Sequence, residues 1–206
     1  MKQRLELVVA TKNKKKLKEI KELLADFNLK ITSLENYPQA TRIIENGSSF
    51  KENAVKKAVL ISRFTKKITL GEDSGLCVDA LGGKPGIYSS RFAGKNKSDM
   101  QNNLKLLKAL QGLILKKRKA HYVCAVALAG RDGLIDVVEG KCSGRIGFDL
   151  RGSKGFGYDP LFIIPKYKKT FAQLGERVKH KMSHRYRALV KASKIIQKYI
   201  ERNKSS

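Results

Sequence analysis

The short run Ile68-Thr69-Leu70 leads into Gly71 and then into two adjacent carboxylates, Glu72 and Asp73, before Ser74-Gly75 and a second apolar run from Leu76 to Leu81. No other stretch constrains the fold as much. A β-branched run that delivers acids to its own C-terminal end is how open α/β sheets build ligand sites, and Ser74-Gly75 predicts a turn just after it. The chain holds only 18 Asp and Glu, so two in succession at a strand end carry weight. Adjacent carboxylates repel, and one takes up a proton unless a cation holds both ionised. Hard oxygen ligands suit Mg²⁺, which keeps several waters and bridges to substrate phosphates. The residues alone leave two readings open: a metal-binding pair, or acids at a strand-to-turn junction that face water. Gly82-Gly83-Lys84-Pro85-Gly86 follows, a stretch that lets backbone pass close to a ligand.

Around this centre, strand and helix patterns alternate. Leu5 to Ala10 predicts a buried strand, Thr11 to Asn13 a turn, and Asn13 a cap for a helix with Leu17, Ile20, Leu23, Leu24 and Phe27 on one face, ending near Asn28. Leu29 to Leu34 is extended, Glu45 to Phe50 is a polar loop, and Phe50 to Phe64 is a helix with Phe50, Ala54, Ala58 and Ile61 inward. Ser98 or Asp99 caps a helix from about Met100 to Leu110, whose apolar stripe reads Met100, Leu104, Leu107, Leu110. Asp132-Gly133 predicts a hairpin between strands at Tyr122–Leu128 and Leu134–Glu139. Gly144 to Phe148 and Leu161 to Ile164 are further strands. A last helix spans about Ser183 to Arg202, with Tyr186, Leu189, Val190, Ile196 and Tyr199 as its stripe. Crossover and hairpin connections together imply a mixed α/β sheet, and with no repeat or linker the 206 residues form one domain.

A formal charge of +26 favours polyanionic partners such as nucleotides, nucleic acids or an anionic membrane surface. Cys77, Cys124 and Cys142 form no paired motif and sit in apolar contexts, which points to a reducing compartment. His121, His180 and His184 lack zinc-ligand spacing. No apolar run reaches the ~18 residues of a membrane span. Met-Lys-Gln-Arg opens straight into a strand pattern without a signal-peptide core, so the expected location is cytoplasmic.

Three further segments carry chemistry. The strand–turn–helix at Thr11-Lys12-Asn13-Lys14-Lys15-Lys16 is an anion site in form, because helix N-terminal amides point into the turn; exposed lysines merely facing water are the plainer reading of two of its lysines. In Gly155-Phe156-Gly157-Tyr158-Asp159-Pro160, Phe156 stacks on a base, worth about 1–3 kcal/mol, and Asp159 accepts from a base edge, or else the loop is a tight turn with a packed ring. Lys179 to Arg185 puts ammonium, imidazole and guanidinium donors at a helix start, where Ser183 also suits a cap. Neither the G-x-x-x-x-G-K-[ST] nor the G-x-G-x-x-G phosphate motif is present.

These segments occur in a fixed order: Ala10-Thr11-Lys12-Asn13 with Lys16 and Glu19; Glu45, Gly47, Phe50, Glu52-Asn53-Ala54 and Lys57-Ala58; Asp73-Ser74-Gly75-Leu76 through Gly82-Gly83 and Pro85 to Ser89; Gly155 to Pro160; and Ser183-His184-Arg185. In order and content they resemble the inosine/xanthosine triphosphate pyrophosphatase family across nearly the whole chain. The resemblance implies a Mg²⁺-dependent hydrolase that cleaves ITP, dITP and XTP between the α- and β-phosphates. It implies a homodimer, each chain a long mixed β-sheet flanked by helices, with an active-site cleft between two lobes. By the same resemblance Asp73 is the proton acceptor and a metal position, with Glu45 and Glu72 acidic positions near the metal. Ser74 contacts substrate, Thr11, Asn13 and Lys16 bind phosphate, and Phe156, Gly157, Tyr158, Asp159, Lys179, His184 and Arg185 form the nucleotide pocket. Lys12, Gln173 and His180 depart from the commonest pattern, the first at the phosphate turn and the others on the side of base choice. Two rivals stand beside this reading. One is a basic nucleic-acid-binding protein, which the dispersed lysines and missing recognition motifs disfavour; the other is a pyrophosphatase for modified pyrimidine nucleotides.

Overall fold

Seven strands form one sheet in the order β2-β1-β3-β4-β5-β6-β7, in a computed structural model that describes residues 4–40, 43–95 and 97–202. Met1, Lys2 and Gln3, from which the chain is expected to run straight into a strand, lie outside them. The elements are β1 (Leu5–Val9), α1 (Lys14–Leu23), β2 (Leu29–Ser33), α2 (Phe50–Thr65), β3 (Thr69–Val78), α3 (Asp99–Ala109), β4 (Lys119–Gly130), β5 (Gly133–Ile146), β6 (Phe162–Ile164), β7 (Lys169–Thr170), α4 (Phe171–Leu174), α5 (Glu176–Lys179) and α6 (His184–Arg202). β1 runs parallel to β2 and β3, as helical crossovers require, whereas β5, β6 and β7 pair antiparallel. The expected mixed α/β sheet flanked by helices is therefore the observed one.

The chain divides into two compact units, one formed by Met1–Asp73, Cys124–Gly140 and Arg185–Ser206, the other by Ser74–Val123 and Lys141–His184. In the first, β1 is buried on both faces from Leu7 onward, which is why Leu7 to Ala10 reads as an apolar run. Leu7 and Val9 pack with Ile20 and Leu24 of the α1 end, Val126 and Leu128 of β4, and Leu189, Ala192 and Ile196 of α6. Val8 and Ala10 meet Leu34 and Ile61. In the second unit Leu76 and Val78 of β3 join Leu106 and Leu110 of α3 and an aromatic group, Tyr122, Phe162 and Phe171.

Several boundaries differ from expectation. Ser74-Gly75 does not turn the chain; β3 continues through both acids to Val78. Gly71 has another reason to be glycine: a Cβ there would lie 2.1 Å from the Ala54 carbonyl oxygen and 2.6 Å from the Ala58 amide nitrogen, so α2 backbone rests directly on the strand. α1 ends at Leu23 rather than near Asn28. On α3 the predicted stripe is rotated: Met100 and Leu104 are exposed, while Asn102 and Asn103 are buried beside Leu106 and Leu110. The buried amides bond locally, Asn102 with the Ala93 amide and the Ser90 carbonyl and the Asn103 NH₂ group with the Asp99 and Gly157 carbonyls, so a polar pair replaces apolar residues on the inner face. α6 uses Ala188 and Ala192 where Val190 was expected, and Val190 is exposed. The hairpin strands β4 and β5 are longer than predicted, and Gly144 lies within β5.

Candidate active site

α2 and β3 deliver the acids. The face of α2 that packs on β3 carries Phe50, Ala54, Ala58 and Ile61, and among them Asn53 and Lys57, four residues apart and both buried. Gly71 allows the close approach, so both polar side chains reach Asp73: Asn53 Nδ2 donates to Asp73 Oδ2 (3.1 Å) and Lys57 Nζ to Asp73 Oδ1 (3.3 Å). The ammonium also donates to the Glu72 carbonyl (3.1 Å) and pairs with Glu45 Oε1 (3.0 Å), so its three protons face three acceptors. Glu72, 3% exposed, points to the other side of the strand. There it pairs with Lys16 Nζ (2.8 Å) and Arg185 Nη2 (3.2 Å), and the Cys124 thiol donates to it (3.3 Å). Arg185 pairs in turn with Glu19.

Four carboxylates, Glu19, Glu45, Glu72 and Asp73, thus meet Lys16, Lys57 and Arg185 in buried ion pairs. Burial pushes the Asp73 carboxyl above the usual range; Lys57 and Lys16 oppose this, and Glu72 and Glu45 add to it. Burial and, less strongly, Arg185 disfavour the Lys16 ammonium, but Glu72 and Asp73 together prevail and its pKa rises. Burial and the neighbouring Glu72 push the Cys124 thiol well up, so it is a neutral donor.

The turn before α1 forms as its residues predict. Asn13 Oδ1 caps the helix by accepting from the Lys15 and Lys16 amides (3.0 and 3.2 Å), and the Thr11 hydroxyl accepts from the Asn13 amide (3.1 Å), leaving its own proton to donate. The cap occupies two amides expected to face a phosphate. Lys12, Lys14 and Lys15 are exposed, Lys14 lying 3.7 Å from Glu35, while Lys16 turns inward to Glu72.

In the second unit, Asp159 is 1% exposed, accepts from the Phe156 amide (2.9 Å) and pairs with buried Lys179 (2.7 Å). A Cβ on Gly155 would strike that carboxylate, and the residue has φ +81°, so glycine is required twice over. Lys179 Nζ lies 4.5 Å from the Phe156 ring centre. Gly157 is held at both peptide groups, its amide donating to Asp99 and its carbonyl accepting from Asn103 (both 2.8 Å). The Tyr158 hydroxyl donates to the Ser89 carbonyl (2.8 Å). His184 is buried and stacked on Tyr122 at 4.6 Å. Ser74 is half-buried on β3.

The first unit therefore gathers Lys16, Glu45, Glu72, Asp73 and Arg185, and the second gathers Phe156, Gly157, Tyr158, Asp159 and Lys179. Asn53 and Lys57 belong to the quoted α2 segment but carry no assigned role in the sequence; the signal is a polar pair at i, i+4 on an otherwise apolar face. Among the described residues no group of three or more His, Cys, Asp or Glu is arranged to hold a metal ion. The hard oxygens of Glu45 and Asp73, gathered on one ammonium, fit an ion that takes one or two carboxylates and completes its shell with water and phosphate.

The sequence pattern of the Ham1 family matches residues 7–195. The chain belongs to the Ham1 family. It is 47% identical over 192 residues to the dITP/XTP pyrophosphatase of Desulforamulus reducens, covering 93% of this chain and 96% of that one. It is 45% identical to that of Shouchella clausii over the same shares. Among solved structures, the HAM1 protein from Coxiella burnetii superposes with a TM-score of 0.86 at 37% identity, covering 94% of this chain and 99% of that one. The Staphylococcus aureus Ham1 protein gives 0.82 at 37%, covering 96% and 99%. Two departures noted in the sequence have plain places in this Ham1 fold: Lys12 is exposed, and Gln173 closes a capping box with Thr170 at the start of α4, a task glutamine and glutamate share.

Proposed function

We propose that this chain hydrolyses deaminated purine nucleoside triphosphates, ITP, dITP and XTP, to the nucleoside monophosphate and pyrophosphate. The observation that carries the reading is Asp73, 5% exposed and held on both oxygens by α2, beside a Lys16–Glu72–Arg185 ion network, in a chain 47% identical to a dITP/XTP pyrophosphatase. Asp73 takes the proton of a water whose oxygen attacks the α-phosphorus; the bond to the α–β bridging oxygen breaks and pyrophosphate leaves with the electron pair. Lys16 and the Thr11 hydroxyl stabilise charge on the phosphate chain, where positioned electrostatics supplies most of the catalysis. Glu45 and Asp73 would be the acids to hold Mg²⁺, which would supply positive charge to the triphosphate, whereas Glu72, on the other side of β3, stays with Lys16 and Arg185.

Base choice follows from donors. Inosine and xanthosine present a 6-oxo acceptor where adenine presents an amino donor, and leaving a buried donor unpaired costs factors of about 10⁴ or more. Phe156, Gly157, Tyr158, Asp159, Lys179, His184 and Arg185 are the residues assigned to the nucleoside, with Ser74 contacting substrate. The chain acts as one nucleoside-triphosphate pyrophosphatase domain, in the cytoplasm and as a homodimer; no helix among the described residues is long and apolar enough to cross a membrane.

Pyrophosphate release across ITP, dITP, XTP, GTP, ATP and modified pyrimidine triphosphates, with and without Mg²⁺, is the test. Deaminated purines are expected to turn over at least 100-fold faster than ATP, and Asp73→Asn to retain under about 1% of that rate. Equal rates for ITP and ATP overturn the base choice; an active Asp73→Asn protein overturns the proton acceptor.

A further inference from the structure

We propose that Asn53 is a positioning residue for the reaction, fixing the Asp73 carboxylate and tying it to the loop that carries Glu45. The inference rests on the reading of Asp73 as proton acceptor. Asn53 is 1% exposed and both ends of its amide are used. The Gly47 amide donates to Asn53 Oδ1 (2.8 Å), and a backbone N–H can only donate, so the oxygen must face it. That settles the other end: the NH₂ group is the one turned to Asp73 Oδ2, at 3.1 Å.

The consequence for Asp73 is specific. One oxygen receives a neutral amide donor and the other the Lys57 ammonium, both from α2, so the plane of the carboxylate is set by two side chains one helical turn apart. Lys57 alone leaves that plane free to rotate about the line to its nitrogen; the Asn53 contact removes this freedom. The same amide reaches the 43–49 loop. A Cβ on Gly47 would lie 2.8 Å from Asn53 Oδ1 and 2.9 Å from the Glu52 Cβ, so glycine there keeps the loop close to α2. Glu45, two residues earlier, pairs with Lys57. Asn53 and Lys57 thus bind loop and base as parallel clasps, one neutral and one charged.

Asn53→Asp separates positioning from simple loop anchoring, because it keeps an oxygen for the Gly47 amide and changes only the group that faces Asp73. With ITP, kcat at pH 7 is expected to fall about 100-fold, with KM within about threefold. Native-like kcat, or a loss that appears only in KM, overturns the proposal. Should Asn53→Asp fail to fold by circular dichroism, Asn53→Ala is assayed alone and in the Asp73→Asn chain. A kcat loss in the native chain that vanishes in the Asp73→Asn background supports action through Asp73, whereas equal loss in both, or none in either, overturns it. An Asp73→Asn chain with native turnover sinks the proton-acceptor reading itself, a result independent of Asn53.

Discussion

Lys57 shows how much one side chain can hold. Its ammonium satisfies Asp73, Glu45 and the Glu72 carbonyl from a side chain only 6% exposed. Lys57→Met keeps the stem and removes the charge. Burial already raises the Asp73 pKa and Lys57 opposes it, so without Lys57 the carboxyl protonates at still higher pH. Turnover at pH 7 is expected to drop at least tenfold and to recover in part as pH rises, readable in a kcat–pH profile. Because Asp73 can escape by taking a proton, the stability loss should fall short of the roughly 3–5 kcal/mol of a broken buried pair. At this scale the sequence was legible where residue type is unusual for its place: paired acids on an apolar strand, or Asn13 before a helix. Asn53 and Lys57 were harder, since polar residues within a helix ordinarily face water, and only the glycine opposite, Gly71, brings that face onto the acids.

The elements repeat the lesson. Strands and helices with a clear apolar period, such as α2 and β2, stand within a residue or two of expectation. Those whose inner face is polar or small do not: α3 buries two asparagines, and α6 buries alanines that a search for large residues passes over. β7, α4 and α5 are two to four residues long, too short to show a period. The expected turn at Ser74-Gly75 failed because glycine was read as a break, whereas Gly71 shows the other use, close contact between backbones. Gly71→Ala tests it. The added carbon would meet backbone atoms of Ala54 and Ala58 that no rotamer can move, so the cost should exceed the usual ~1–3 kcal/mol of overpacking. A large fall in Tm with lost turnover is expected; a Tm unchanged within a degree counts against this packing.

At the scale of the whole molecule, acid tolerance is set partly by Glu6 of β1. Burial would raise its pKa, but Lys67, Tyr37 and Thr32 outweigh this and hold it at about 2, from 4.5. A depressed carboxylate contributes stability above pH 4.5 that is lost as pH falls through about 2. Glu6→Gln should therefore melt below the native protein at pH 6, with the gap closing between about pH 4.5 and 2 in a Tm-against-pH series; a constant gap would assign the loss to packing. The mixed sheet and family were legible from ordered motifs, and two lobes were implied by the resemblance, while the bounds of the two units were not legible, because neither is continuous in sequence.

Arg185 and the helix it begins have one more implication. The guanidinium that answers Glu19 and Glu72, and the Leu189, Ala192 and Ile196 side chains that close the core around β1, all come from α6, which follows every acid of the centre in sequence. A polypeptide emerging from the ribosome has every acid of the centre long before it has this counter-ion. This ion network is therefore complete only once α6 has been made, and a product ending ahead of α6 leaves two buried anions without that partner.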